Sequence, residues 1–335
     1  MDPALPPKVL CLGEALVDRL GPPGGDPATD RPCDDCLGGA PANVACGLAR
    51  LGMPVAYLGR LGRDAIGEAF AELFTARGVD TRALQWDERR PSRIVLVRRD
   101  ASGERSFEGF AGGAAAAGEA VFADQALDAE GLSAALGPLL AQARWLLLGT
   151  IPLASPTAAQ AAWLAVREAA AAGVAIAIDV NWRPTFWDPT ADPSAGPTPE
   201  QRLQILPLLQ QAQLIKCSAE EALWLFGSSD PAPISAALPL QPLVVVTDGA
   251  APLRWARPGL GDALRPFAAR VVDTTGAGDA FTAALLHGLC SAAAELSPLM
   301  RFASACGALV CQGAGAIDPQ PTEAEVRAFL AGVDR

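Results

Sequence analysis

Histidine is nearly absent from this chain: one histidine, one tyrosine and three methionines occur among 335 residues, and the only lysines are Lys8 and Lys216. With His287 alone, a catalytic triad built on histidine is improbable and a multi-histidine metal site is excluded. Long hydrophobic runs are also missing. No uncharged apolar stretch approaches the roughly 18 residues of a membrane span, and the apolar opening KVLCLGEALVD is broken at Glu14, too early for a secretory signal peptide. Excess positive charge is lacking too: the net charge is -11 and the pI about 4.7, so neither nucleic acid nor an acidic membrane is expected as a partner. An anionic small molecule would have to be met by local arginines and backbone amides.

Half of the residues are hydrophobic, enough for one large domain or a domain with a small appendage. Six of the eight cysteines (Cys11, Cys46, Cys217, Cys290, Cys306, Cys311) stand in apolar surroundings, which is core usage in a reducing, cytoplasmic setting. Cys33 and Cys36 form a lone C-x-x-C with no second pair and no nearby histidine, a weak metal or redox signal.

Six short apolar runs, at 9–14, 55–59, 145–149, 174–179, 214–217 and 243–247, have the composition of strands covered on both faces. Helical stretches such as APANVACGLARLG, AIGEAFAELFTARG and SPTAAQAAWLAVREAAAAG separate them, the last two ending on glycine. Such alternation predicts an α/β fold with a central mostly parallel sheet flanked by helices. Residues 92–110 differ: two alternating segments around DASGE predict a hairpin with one wet face, and EALVDRLG with the Pro/Gly-rich 21–38 predicts its neighbour. Together they imply a small inserted β lid. DPTADPSAGPTP (188–199) and GSSDPAP (227–233) are expected as surface loops.

VVDTTGAGDAFTAALLHGL (271–289) carries the chemistry. An extended RVV, a glycine turn and a helix follow one another there, the context in which open α/β sheets bind ligands. Gly276 and Gly278 free backbone amides to face an anion, and the helix start adds positive potential. Asp279 beside such an anion hole suits a general base that takes the proton of an attacking hydroxyl during phosphoryl transfer. A capped, solvated helix start would use the same residue types. Neither G-x-x-x-x-G-K-[ST] nor a correctly placed G-x-G-x-x-G occurs, and His287 lies about 12 Å along the helix, too far to replace Asp279.

DTTGAGDAF resembles the C-terminal signature of the ribokinase-like (pfkB) sugar kinases, and GGAPANVACGLARLG (38–52) resembles their N-terminal one. The resemblance runs through GEALVD (13–18), GRLGRDAIGEAF (59–70), DASGERSF (100–107), DVNWRPTFW (179–187), IKCSAEEALWLFG (215–227), VVVTDGA (244–250) and FASACGALVCQGAGAIDPQPT (302–322). It implies a single ribokinase-like kinase domain over 1–335, with the lid formed by about 15–37 and 91–115. It also implies ATP and Mg2+, often with a monovalent cation such as K+, and a homodimer through the lid is a plausible assembly because lid strands have exposed edges.

By resemblance Asp279 is the base, and Gly276, Ala277 and Gly278 form the anion hole. Asp18, Gly38, Gly39 and Asn43 match sugar-contacting positions, with Arg105 on the lid and Arg183 as further sugar contacts. Asn181, Lys216, Ser218, Thr247, Gly249 and Gly278 fall to the nucleotide, and Glu221, Asp273 and Thr275 to the metal ions. Several have a plainer alternative: a capping Asn43, a turn-stabilising Asp273, a surface-strand Arg105, solvated loop residues at Asn181 and Arg183. The family usually shows Asn where Ser218 stands.

The wording is nearest to fructokinases, so the expected reaction is ATP-dependent phosphorylation of D-fructose at its 6-hydroxyl. A 2-keto-3-deoxygluconate, ribose or nucleoside kinase would share these motifs. A non-catalytic fructokinase-like binding protein is the alternative from another class, and the intact GAGD stands against it.

Overall fold

The structure, a computed structural model, describes residues 6–100, 105–112, 120–290 and 295–333. Its strands, in chain order, are β1 (Val9–Leu12), β2 (Leu16–Leu20), β3 (Asp34–Gly38), β4 (Val55–Gly62), β5 (Asp80–Asp87), β6 (Arg93–Arg99), β7 (Arg105–Phe110), β8 (Trp145–Leu148), β9 (Ala175–Asp179), β10 (Leu214–Ser218), β11 (Leu243–Asp248), β12 (Ala251–Arg257) and β13 (Leu260–Leu264). Nine of them form one sheet in the order β13-β12-β11-β10-β9-β8-β1-β4-β5. From β11 to β5 every pairing is parallel, and β12 and β13 join antiparallel at one edge.

The six continuous apolar runs are β1, β4, β8, β9, β10 and β11, the middle of this sheet. Successive side chains on a strand point to opposite faces. Val9 and Cys11 accordingly enter one core and Leu10 and Leu12 the other. The first core packs on helices Ala40–Arg50, Ala277–Leu289 and Leu296–Val310, the second on Ala129–Leu140 and Pro156–Ala171. The sequence reading missed β5, β12 and β13. Each lies at or next to an edge and keeps many exposed or half-buried residues, so none presents a continuous apolar run.

Helix ends follow local chemistry. Asp64 accepts from the Gly67 amide at 2.9 Å to start Ala65–Arg77, which stops at Gly78 in the left-handed region. GSSDPAP is only partly a loop: Asp230 caps a helix at Pro231–Ala237, where proline at the first position suits a helix start. Thr198 and Gln201 likewise form a capping box for Pro199–Leu209 at the end of the other expected loop.

The second sheet has the order β3-β2-β6-β7. It is mixed: β2 pairs antiparallel with β3 and parallel with β6, and β6 pairs antiparallel with β7. The chain leaves the large sheet for this lid at residues 13–15, returns at Gly39, and leaves again at 88–92. At the foot of β6 the buried Arg93 pairs with Asp124 at 2.9 Å, and the rings of Phe110, Phe122 and Phe186 lie within 5.0 Å of its guanidinium carbon. A buried charge requires such a partner. The segment GGAAAAG, expected to connect lid and body, lies outside the described residues apart from Gly112. Among the described residues no helix is long and apolar enough to cross a membrane.

Candidate active site

The site begins with two neighbouring strand ends. Lys216 on β10 is the direct register partner of Asp179, the last residue of β9. Alternation turns both toward the core that holds helix Ala277–Leu289. Their side chains pair, Lys216 Nζ lying 3.0 and 3.1 Å from the two Asp179 oxygens. Thr282 Oγ1 donates to Asp179 Oδ2 at 2.8 Å and so ties the helix to the pair. Burial alone works against the Lys216 charge, but Asp179, Glu221 and Asp279 outweigh it and hold the amine above its ordinary range.

Above this pair lies the glycine turn. Asp273 organises it: Oδ1 accepts from the Thr275 amide and hydroxyl at 3.0 and 2.7 Å, and Oδ2 from the Gly315 amide at 2.9 Å. Gly276 is the residue before the helix, with φ of 78°, and a Cβ there would lie 2.5 Å from the Ala316 side chain. No larger residue fits. A Cβ on Gly278 would sit 3.0 Å from Lys216 Nζ, so the lysine charge lies directly beneath the turn. Backbone amides at the start of a 13-residue helix, with an ammonium below them, make a positive cradle.

Asp279 stands in the first turn of that helix. Burial and then the nearby Asp179 raise its pKa, while Asn43, Lys216 and Arg183 pull it down; the balance is a carboxyl above its ordinary range. Asn43 Nδ2 donates to Asp279 Oδ2 at 2.8 Å. The capping alternative for Asn43 is thereby set aside: the residue before helix Ala40–Arg50 is Gly39, and Asn43 is the fourth residue of the helix, with its side chain turned across to Asp279. Its Oδ1 is buried without a hydrogen-bond partner among the described residues. Such an oxygen is suited to receive a hydroxyl. Gly38 ends β3 beside Asp18, whose Oδ2 would lie 3.3 Å from a Cβ at that position.

Other expected site residues are more structural. Glu221 is buried; its oxygens accept from the Trp182 and Ser218 amides at 2.7 Å each, and Ser218 Oγ returns a bond from the Glu221 amide. This capping box starts helix Ala219–Phe226. Thr247 faces Ser218 across β10 and β11, and Gly249 turns the chain toward β12. Asn181 follows β9 in the left-handed region, with φ of 42°. Arg183 donates to the Trp182 carbonyl at 3.0 Å and acts on Asp279 through its charge. Arg105 begins β7 opposite Arg99, and its side chain lies outside what is described. His287 stacks on Phe302 near Glu323, far from any site role.

The sequence reading missed Asp179 and Thr282. Asp179 closes an apolar run, which was a usable signal, because a carboxylate at the end of a buried strand needs a partner. The capping box was also legible as S-x-x-E.

A family model described as "pfkB family carbohydrate kinase" matches residues 6–323. The chain belongs to that family. A fructokinase from Klebsiella pneumoniae is 33% identical over 96% of this chain and 99% of its own length. Fructokinase-1 from Zea mays is 32% identical over 95% of this chain and 96% of its own. Among solved structures, a fructokinase from Xylella fastidiosa with bound ATP superposes with a TM-score of 0.79 at 28% identity, covering 98% of this chain and 99% of that one. A fructokinase from Vibrio cholerae with fructose, ADP and calcium gives 0.76 at 28% identity, covering 97% and 99%. The pfkB fold thus accounts for both the large parallel sheet and the small lid sheet. The chain is a sugar kinase by family, and the geometry of the glycine turn agrees with that.

Proposed function

We propose that this pfkB kinase transfers the terminal phosphoryl group of ATP to the 6-hydroxyl of D-fructose, with Asp279 as the base. The observation that carries the reading is the Asp279 carboxyl, held by Asn43 at the mouth of a glycine turn that rests on Lys216. Fructose as the acceptor is supported by the fructokinases among the relatives at 30–33% identity over most of the chain.

The residues fit a nucleotide phosphate: the glycine turn leads into the start of helix Ala277–Leu289, where backbone amides are available, and a Cβ on Gly278 would lie 3.0 Å from the Lys216 amine. They also fit Mg2+ in the manner usual for phosphate enzymes, in which the ion keeps waters and takes few protein ligands. Among the described residues no group of three or more His, Cys, Asp or Glu could hold a metal by itself. Glu221 would act on the waters of the ion, and Asp273 and Thr275 would support a monovalent cation beside the turn. When bound, MgATP supplies the transferable phosphoryl group and part of its charge neutralisation.

The protein's own work is positional. Asp18, Gly38, Gly39 and Asn43 would hold the sugar, with the unpartnered Asn43 oxygen accepting a hydroxyl. Arg183, and Arg105 from the lid, would contact it further. Asp279 takes the proton of the attacking hydroxyl, and the amides of Gly276, Ala277 and Gly278 face the charge on the transferred group. Asn181, Ser218, Thr247 and Gly249 would line the nucleotide side. The cysteines at apolar positions suit a cytoplasmic setting, and the lid edges offer a surface for a homodimer.

The test is ADP release from MgATP with fructose, ribose, 2-keto-3-deoxygluconate, glucose and adenosine as acceptors, with Asp279→Ala as control. Turnover strongest on fructose, reduced by about a hundredfold or more in the variant, supports the reading. A different preferred acceptor overturns the fructose assignment, and an active Asp279→Ala overturns the base.

A further inference from the structure

Glu14 has no role in the scheme above, yet it is 3% exposed at the point where the chain crosses from the large sheet to the lid. Three contacts hold this crossing against the returning crossing at 39–41. A Cβ on Gly13 would lie 2.6 Å from the Pro41 ring, and one on Gly39 would lie 2.6 Å from the Glu14 carbonyl oxygen. Between them, Glu14 Oε1 accepts the Ala40 amide at 3.1 Å. Tyr57 fixes the segment from below, its hydroxyl donating to the Gly13 carbonyl at 2.7 Å.

The Ala40 amide is the first of helix Ala40–Arg50, and the residue before it, Gly39, has no side chain to cap it. Orphan amides at a helix start need an acceptor, and a cap is worth a measurable share of stability. Here it arrives from 26 residues earlier in the chain. The same helix carries Asn43, one turn on, and Asn43 holds Asp279.

We propose that Glu14 is a positioning residue: it clamps the two lid crossings together and sets the helix that aims Asn43 at the sugar and at Asp279. The inference rests on the sugar-kinase reading of that site. Its side chain faces acidic groups from several elements: Asp124 beyond the lid foot, Asp279 on the catalytic helix, and Asp179 across the small pocket they share. Arg93 and Asp124 line a second small pocket that Glu14 also borders. Burial first, then Asp124 and Asp279, push the carboxyl up to about 8, so the clamp is largely a neutral acid near pH 7.

A neutral clamp predicts different behaviour for two variants. Glu14→Gln keeps an oxygen for the Ala40 amide and removes the titration, whereas Glu14→Ala removes the acceptor. The measurement is the steady-state KM for whichever sugar the wild-type enzyme phosphorylates best, with KM for ATP alongside, from pH 6.5 to 9. Expected are a sugar KM raised about five- to tenfold in Glu14→Ala, an unchanged ATP KM, rescue to within about twofold in Glu14→Gln at pH 6.5, and loss in Glu14→Gln of the wild-type pH dependence near 8. Equal shifts in both KM values, or a Glu14→Gln profile that keeps the wild-type step, would overturn the proposal. If Glu14→Ala does not fold, the Glu14→Gln profile alone decides. The use of the preferred sugar separates this outcome from the fructose assignment, which fails only if the wild type prefers another acceptor.

Discussion

Asn43 and Asp279 lie 236 residues apart in the chain and 2.8 Å apart in space, joined by the bond from the Asn43 amide to Asp279 Oδ2. The bond joins the starts of two helices, Ala40–Arg50 and Ala277–Leu289, packed in the same core on one face of the sheet. In the proposed function one residue of the pair serves the sugar side and the other the phosphoryl side. The catalytic geometry therefore depends on how these two helices seat.

Asn43→Ala removes a group that lowers the Asp279 pKa. A base must be deprotonated to act, so with Asp279 in its proposed role kcat/KM falls as pH drops through that pKa. With Asn43 gone, the pKa rises further and the acid limb of the profile moves to higher pH. A pH-rate profile of the variant checks this, and an acid limb at or below that of the wild type would contradict the assignment.

Lys216→Met leaves Asp179 buried and unpaired, since the lysine is its cationic partner at 3.0 Å. Removal of one member of a buried pair costs about 3 kcal/mol or more. Urea unfolding of the variant should show that loss, and it should coincide with a weaker ATP affinity because the charge beneath the glycine turn is gone. Lost stability with wild-type ATP affinity would place the lysine in the scaffold alone.

Gly276→Ala asks an L residue to hold a φ of 78° and puts a Cβ 2.5 Å from Ala316. Backbone strain of this kind costs about 1–3 kcal/mol. Because the turn and residues 311–315 are stitched together through Asp273, relief of the clash displaces the turn proposed as the anion hole. The expected result is a lower Tm with a fall in kcat larger than the rise in sugar KM.

Glu14 should also leave a mark on stability. Its folded pKa of about 8 stands above an ordinary value of 4.5, so between those values the folded state binds more protons than the unfolded one. Stability from this group is full below the ordinary pKa and is lost as pH rises toward 8. Tm measured from pH 4.5 to 8.5 should fall more steeply in the wild type than in Glu14→Gln. Parallel curves would show that Glu14 titrates normally.

Much of this was legible in the chain itself. The continuous apolar runs marked the strands buried on both faces, because a parallel sheet between two helical layers leaves no polar side. The glycine turn, Asp279 and Asn43 could be picked out from their residue types and from family resemblance. Helix starts at Asp64, Thr198 and Ser218 follow from chemistry within three or four residues, and such local rules need no tertiary information. Strands β5 and β13 escaped notice because an edge strand shows one face to water and mixes polar with apolar residues.

Other features were decided only when distant segments met. Asp179 and Lys216 became a pair because β9 and β10 are neighbours in register, a fact of strand order that no local pattern encodes. Glu14 looked like an interruption of an apolar run; only the return of the chain at Ala40 gave it an amide to hold and a buried site that raises its pKa. Sequence alone determined which groups were available for the chemistry, through residue type and local spacing. Tertiary structure decided which of them touch, because contacts across residues hundreds of positions apart are set by how helices pack on the sheet.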